Sequence, residues 1–187
     1  MRRRAFLGQA AAWPVLALAQ GVPAPLRGDG AVVRRHADRF GETHRLPAGN
    51  PMWVKVSTRD TGGAFFLMEQ TNTGRRGPAR HYHFDVDEWF YCLAGRYVVE
   101  VGGNRHTLEP GDSLLAPRLV PHAFAFAGEG TGRLLVGFTP AGRMEEFFRE
   151  LERRGSYFGT GTNADRARLR EFGMENVGPP LESHLLR

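Results

Sequence analysis

The segment RHYHFDVDEWF, residues 80–90, sets His81 and His83 one residue apart and places Glu88 five positions after the second histidine. In an extended strand, side chains at i and i+2 share a face. Both imidazoles therefore project the same way, with Tyr82 opposite. The intervening FDVD can turn the chain and bring Glu88 into the next strand, facing the same interior. Neutral imidazoles with one carboxylate are suitable ligands for Zn, Fe, Ni, Mn or Cu. His122, which opens a strand after the turn PRLVP, is a fourth candidate. Four protein ligands would leave one or two open positions on a six-coordinate ion, where a substrate oxygen can bind. The spacing alone fits equally well a salt-bridged surface pair, with Glu88 an ordinary turn-flanking carboxylate.

The elements that must position these residues are short. MWVKVST (52–58) and AFFLMEQT (64–71) are strand candidates separated by RDTGG, and TNTGRRGPA is a loop into the histidine segment. EWFYCLAG and RYVVEVGG read as a pair about a glycine turn, and NRHTLEPGD, SLLAP, HAFAFAG and RLLVGFT continue the series. Turn signals recur every 6–12 positions, and no helix of twelve or more residues fits between them, which disfavours a βαβ architecture. The fold class is all-β, a sandwich or a barrel. Helical periodicity begins afterwards. Met144, Phe147, Phe148 and Leu151 make one apolar stripe, and TNADRARLREFG reads as a second helix, with Asn163 able to cap its start and Gly173 to stop it. The breaker-rich tail MENVGPPLESHLLR is expected to pack Val177 and Leu181 back onto the strands.

Strand parity suggests what surrounds the ligands. Phe90 and Cys92 share parity with Glu88, Phe124 and Phe126 share it with His122, and Phe66 and Met68 are further inward candidates. These residues would form an apolar wall suited to a flat or aromatic substrate, or simply the filling of the interior. Tyr82 and Tyr91 are expected on the other face. His36 and His44 read as surface or strand-pairing residues, His106 as an ordinary strand residue, and His184 as an exposed tail residue. Arg75, Arg76 and Arg80 read as a solvated loop, although they would attract an anionic substrate.

Composition narrows the function classes. Hydrophobic content of 41% with 24% charged residues fits a globular domain with a real core. The formal charge is +5, but Arg2, Arg3 and Arg4 supply three of those charges, leaving 22 basic against 20 acidic residues. The body carries no basic patch beside exposed aromatics, so nucleic acid is excluded as the expected partner. Cys92 is the only cysteine, which rules out an intrachain disulfide, and it lies in an apolar run as a buried small hydrophobe. The opening MRRRAFLGQAAAWPVLALAQG has a basic start, an apolar middle and ALA before Gln20, the architecture of an export signal cleaved after Ala19. Pro14 and its short length argue against a stable membrane span.

The segment 81–95 resembles the first motif of the cupin superfamily: His-x-His, three or four residues, Glu, six residues, Gly. His81, His83, Glu88 and Gly95 meet each spacing, whereas Arg75 stands where a leading glycine is expected. The second motif maps onto Gly111, Pro117 and His122, with Leu119 in place of a glycine and Phe126 in place of an asparagine. The phrases DEWFYCLAGRYVVEVGG and FGMENVGPPL resemble the quercetin-dioxygenase-like single-domain cupins, and RRAFL resembles a twin-arginine export signal.

The resemblance implies a cupin-type β-barrel (double-stranded β-helix) over 43–140, after a signal at 1–19 and a leader at 20–42, with two short helices and a tail over 141–187. It implies one divalent transition metal (Fe, Mn, Ni, Cu, Co or Zn) held by His81, His83, Glu88 and His122, with Glu88 also a catalytic base. Phe66, Met68, Phe90, Phe124 and Phe126 would contact substrate. The implied activity is a metal-dependent dioxygenase on a small enol, flavonol or phenolic compound, with O2 as co-substrate. A metal-dependent isomerase, decarboxylase or lyase is one alternative, and a non-catalytic small-molecule-binding cupin is another. The implied setting is a periplasmic or secreted homodimer.

Overall fold

The computed structural model describes residues 30–159 and 161–181. The expected export signal and His184 lie outside the described residues. Eleven strands and two helices follow one another: β1 (His44–Arg45), β2 (Pro51–Val56), β3 (Phe66–Asn72), β4 (Ala79–His83), β5 (Asp87–Ala94), β6 (Tyr97–Val101), β7 (Asn104–Leu108), β8 (Ser113–Ala116), β9 (His122–Phe126), β10 (Gly132–Thr139), α1 (Met144–Arg154), α2 (Asn163–Glu171) and β11 (Met174–Pro180). Among the described residues, no helix is long and apolar enough to cross a membrane.

The strands form two antiparallel sheets, ordered β1-β2-β3-β10-β5-β8 and β11-β4-β9-β6-β7. This overturns the expected β-barrel. Among the described residues, no ladder joins the outer strands of one sheet to those of the other, so neither sheet closes. Closure depends on long-range pairing between edges, and short alternating strands with frequent turns are common to open and closed forms alike. The expected pairing of EWFYCLAG with RYVVEVGG also fails. Gly95, at φ 80°, turns the chain out of one sheet and into the other, so β5 and β6 lie in different layers. The true hairpin is β6–β7, closed by Gly102 and Gly103 with φ of 57° and 88°, the left-handed pair that a two-residue hairpin turn requires.

The inner faces of the two sheets share one core. Phe66, Phe90, Phe126, Phe138, Tyr97 and Val99 are fully buried in it, and each large apolar side chain so buried stabilises by about 1.5–3 kcal/mol. Phe90 on β5 meets Phe124 on β9 with centroids 5.5 Å apart, across the gap between layers. Strand β9 is buried on both faces, because Ala123 and Ala125 pack outward against Val98 and Leu181. The tail thus returns through Leu181 as expected, while Val177 is exposed.

The stripe Met144, Phe147, Phe148 and Leu151 of α1 is buried as its period requires, and Glu145 accepts hydrogen bonds from Ser57 Oγ and Thr58 N at 2.8 Å, fixing the helix start. Thr162 caps α2 through its side chain, one residue before the expected Asn163. The tail segment read as irregular is a strand. β11 pairs with β4, placing Met174 opposite His83 and Asn176 opposite His81. Its bulges fall around Gly178 and Pro180, and proline is tolerated there because β11 is an edge strand.

Candidate metal centre

Three strands from both sheets bring the four candidate ligands together. His81 and His83 share a face of β4, and His122 at the start of β9 stands directly opposite His81 in register. Glu88, near the start of β5, reaches in from the other layer. The approach of the two layers is fixed by the 117–121 turn. Leu119 N donates to His83 O at 2.8 Å, while Arg118 donates to the Asp87 carboxylate from its backbone N and its guanidinium at 2.8–3.0 Å. That guanidinium holds the Asp87 carboxyl down to about 2. Leu119, where the resembled motif has glycine, adopts φ 64°, so the turn keeps the glycine shape with a strained residue.

The four candidate ligand residues are at most 5% exposed. Glu88 Oε2 lies 2.9 Å from His122 Nε2, 3.0 Å from His83 Nε2 and 3.6 Å from His81 Nε2. One donor atom from each of the four lies within 4.8 Å of every other. Nδ1 of His81 contacts Ala79 O at 2.8 Å and Nδ1 of His122 contacts Val120 O at 2.9 Å. A carbonyl only accepts, so both Nδ1 atoms carry a proton, and each Nε2 is the atom that would face an ion at the common point. His83 Nδ1 is buried without a partner among the described residues, and edge-on packing against Phe138, with centroids 5.9 Å apart, orients that ring.

These features fit a metal ion. Ligand atoms bound about 2.1 Å from one ion at right angles lie about 3.0 Å apart, near the observed separations from Glu88. Burial drives the His81 pKa down to about 4, aided by the neighbouring His122, so it remains neutral and ligand-competent. Burial opposes charge on Glu88, but the surrounding side chains of His122, His81 and His83 outweigh it and hold the carboxyl well below its usual range. Burial likewise opposes charge on His122, and the Glu88 carboxylate overrides it and raises that pKa.

The cluster opens onto a recess of about 720 Å³, its solvent-facing mouth included. Of the expected apolar wall, Met68 and Phe124 line it, whereas Phe66, Phe90 and Phe126 sit behind it in the core. The rest of the wall comes from Phe138 and from the helical region, chiefly Phe147, Phe148 and Phe158. Sequence reasoning identified the α1 stripe but not its destination. Gln70, Asn72 and Arg76 add a polar strip that parity could have found, since Gln70 and Asn72 continue the inward series of Phe66 and Met68. Arg80 is taken by Glu100 at 2.9 Å, and His106 is exposed. His44 was expected at the surface or in a strand pair. It does pair, in β1, but is buried, with Nδ1 2.7 Å from Glu152 of α1.

Comparison with known proteins agrees with this geometry. The cupin domain model matches residues 67–138. Quercetin 2,3-dioxygenase of Bacillus subtilis (strain 168) is 31% identical over 124 residues, which is 66% of this chain and 36% of that protein. The chain spans less than half the length of the curated relatives it matches. KdgF from Halomonas sp. superposes with a TM-score of 0.51 at 21% identity, covering 60% of this chain and 94% of the other. A predicted oxalate decarboxylase from Thermotoga maritima gives 0.50 at 18%, covering 58% and 98%. At those identities, the two structures establish a shared fold only.

Proposed function

We propose, with the cupin superfamily membership supported by these matches as premise, that the protein is a metal-dependent enzyme acting on a small, flat substrate that forms an enolate or phenolate. Proton transfer of the isomerase, decarboxylase or lyase type is the primary reading. One observation carries it: among the described residues, Glu88 is the sole acidic side chain lining an otherwise largely apolar recess, and three imidazole Nε2 atoms converge on it.

His81, His83, Glu88 and His122 would hold one divalent transition ion, with Fe, Mn, Ni, Cu, Co and Zn all compatible with the donor set. Bound there, the ion would supply Lewis-acid polarisation of a substrate oxygen. Glu88 is placed to accept the substrate proton on a carboxylate oxygen and to return it at another position. Phe138, Phe147 and Phe148 exclude water and hold a planar substrate. A dioxygenase reaction is the second reading, favoured by the identity to quercetin 2,3-dioxygenase. It would use the same ligands and the same proton acceptor.

The test is turnover of 2-oxo acids, aryl ketones and flavonols by metal-loaded protein in D2O, with and without O2. Deuterium incorporation or CO2 release under anaerobic conditions supports the primary reading. O2 uptake matched to substrate loss transfers the assignment to the second. Tight binding with neither outcome would sink both and leave a small-molecule-binding protein.

A further inference from the structure

We infer that Gln70 reads a second oxygen on the substrate, so that the recess selects an extended aromatic molecule, at least two fused rings long, with one oxygen at the ligand cluster and a carbonyl-type oxygen at the opposite end. The inference deepens the reading above and rests on the recess being its substrate site.

Gln70 is 3% exposed, lines the recess and has an amide nitrogen with no hydrogen-bond partner among the described residues. Leaving a buried amide unpaired is costly, and native proteins leave few such groups. Its neighbours on the inner face of β3 do not share this state. Met68 needs no partner, and Asn72 Oδ1 accepts from Tyr97 Oη at 2.9 Å. The polar strip is therefore satisfied at Asn72 and open at Gln70. Rotation of the amide presents either its nitrogen or its oxygen to a ligand, and a ligand carbonyl would accept from the nitrogen.

The sheet register supplies the length. Leu134 stands opposite both Gln70 and Cys92, and Phe138 stands opposite both Phe66 and Glu88. Gln70 is thus four residues along and two strands across from Glu88, about 13 Å and about 10 Å at the backbone. Both side chains reach inward and shorten that separation, but a single small ring does not bridge it. Met68 and Phe138 lie between the two poles and supply an apolar floor for the body of the ligand.

A matched pair of probes tests this: 2-acetylnaphthalene, which carries a carbonyl, and 2-isopropylnaphthalene, which has nearly the same shape without it. Their affinities are measured by fluorescence titration on metal-free wild type, Gln70→Leu and Gln70→Met. Taking the ratio within each protein cancels the different hydrophobicities of the probes. The carbonyl preference of wild type is expected to fall by roughly 5- to 10-fold in both variants, the net worth of about one hydrogen bond. The melting temperature without probe should stay equal or rise, because an unpaired buried amide has been removed. An unchanged ratio, no binding of either probe to wild type, or lowered stability in both variants overturns the inference. Since the titration needs no metal, an inactive centre would leave the ratio intact, and an unchanged ratio would leave the metal reading standing.

Discussion

Strands β5 and β9 each begin in chemistry and end in packing. Along β5 the inward residues run Glu88, Phe90, Cys92, and along β9 they run His122, Phe124, Phe126. The first members form the ligand cluster. The last members form a seal, in which the Phe126 ring packs 5.5 Å from Tyr97 and occupies a notch left by Gly95, Gly128 and Gly132. Two steps along each strand thus convert a polar, convergent site into a dry jigsaw. Buried charge persists at the first end because it is fully partnered, and glycine persists at the second because a methyl group has no room there.

Substitutions can separate the two ends. The largest effect is expected for His83→Ala, which should lower affinity for a divalent ion by at least about 100-fold, seen as loss of stoichiometric metal in elemental analysis. Retained stoichiometry would remove His83 from the ligand set. At the sealed end, a β-carbon on Gly132 would lie 2.5 Å from Phe126 Cδ2 and 2.6 Å from Tyr97 Oη. Gly132→Ala should therefore destabilise the fold by about 2–3 kcal/mol in urea titration while leaving metal stoichiometry unchanged. Loss of metal in that variant would mean that the ends are coupled.

His81 titrates near 4 when folded and near 6.5 when unfolded, so the unfolded chain binds the extra proton between those values. The His81 contribution to the stability of the metal-free protein should fall through that window as pH decreases, and His81→Gln should remove it, changing the pH dependence by up to about 3 kcal/mol. A slope unchanged by the substitution would refute the buried neutral imidazole. The smallest effect is expected at the 117–121 turn. Leu119→Gly should relieve a left-handed leucine and stabilise by up to about 1 kcal/mol in thermal melts, with metal affinity unaltered.

The ligand end was the more legible in sequence. Strand geometry constrains His81 and His83 directly, since the i, i+2 rule needs no knowledge of the partner strand, whereas Glu88 and His122 were joined to them as one set by the resemblance to the cupin motifs. The sealed end and the recess were less legible, because they depend on which surfaces meet. Periodicity marked Phe147 and Phe148 for burial without saying that they roof the ligands. Parity marked Phe90 and Phe126 as inward, correctly, without separating wall from core. Openness of the sheets was hidden for the same reason, since alternation records which face is buried and carries no trace of whether the edges meet. β11 was missed because Gly178, Pro179 and Pro180 read as breakers, and only an edge position with bulges accommodates them.

That last strand has a consequence for how the protein comes to be made. The ligand strand β4 meets β9 at a single residue pair and owes the rest of its pairing to residues 174–180. During synthesis, His81 and His83 emerge from the ribosome roughly ninety residues before the segment that clamps them, and at about 5–20 residues per second that delay lasts several seconds. An ion bound by this cluster would meet only part of its clamp in that interval. Loading of the proposed centre would then follow translation, gated by the arrival of the clamp.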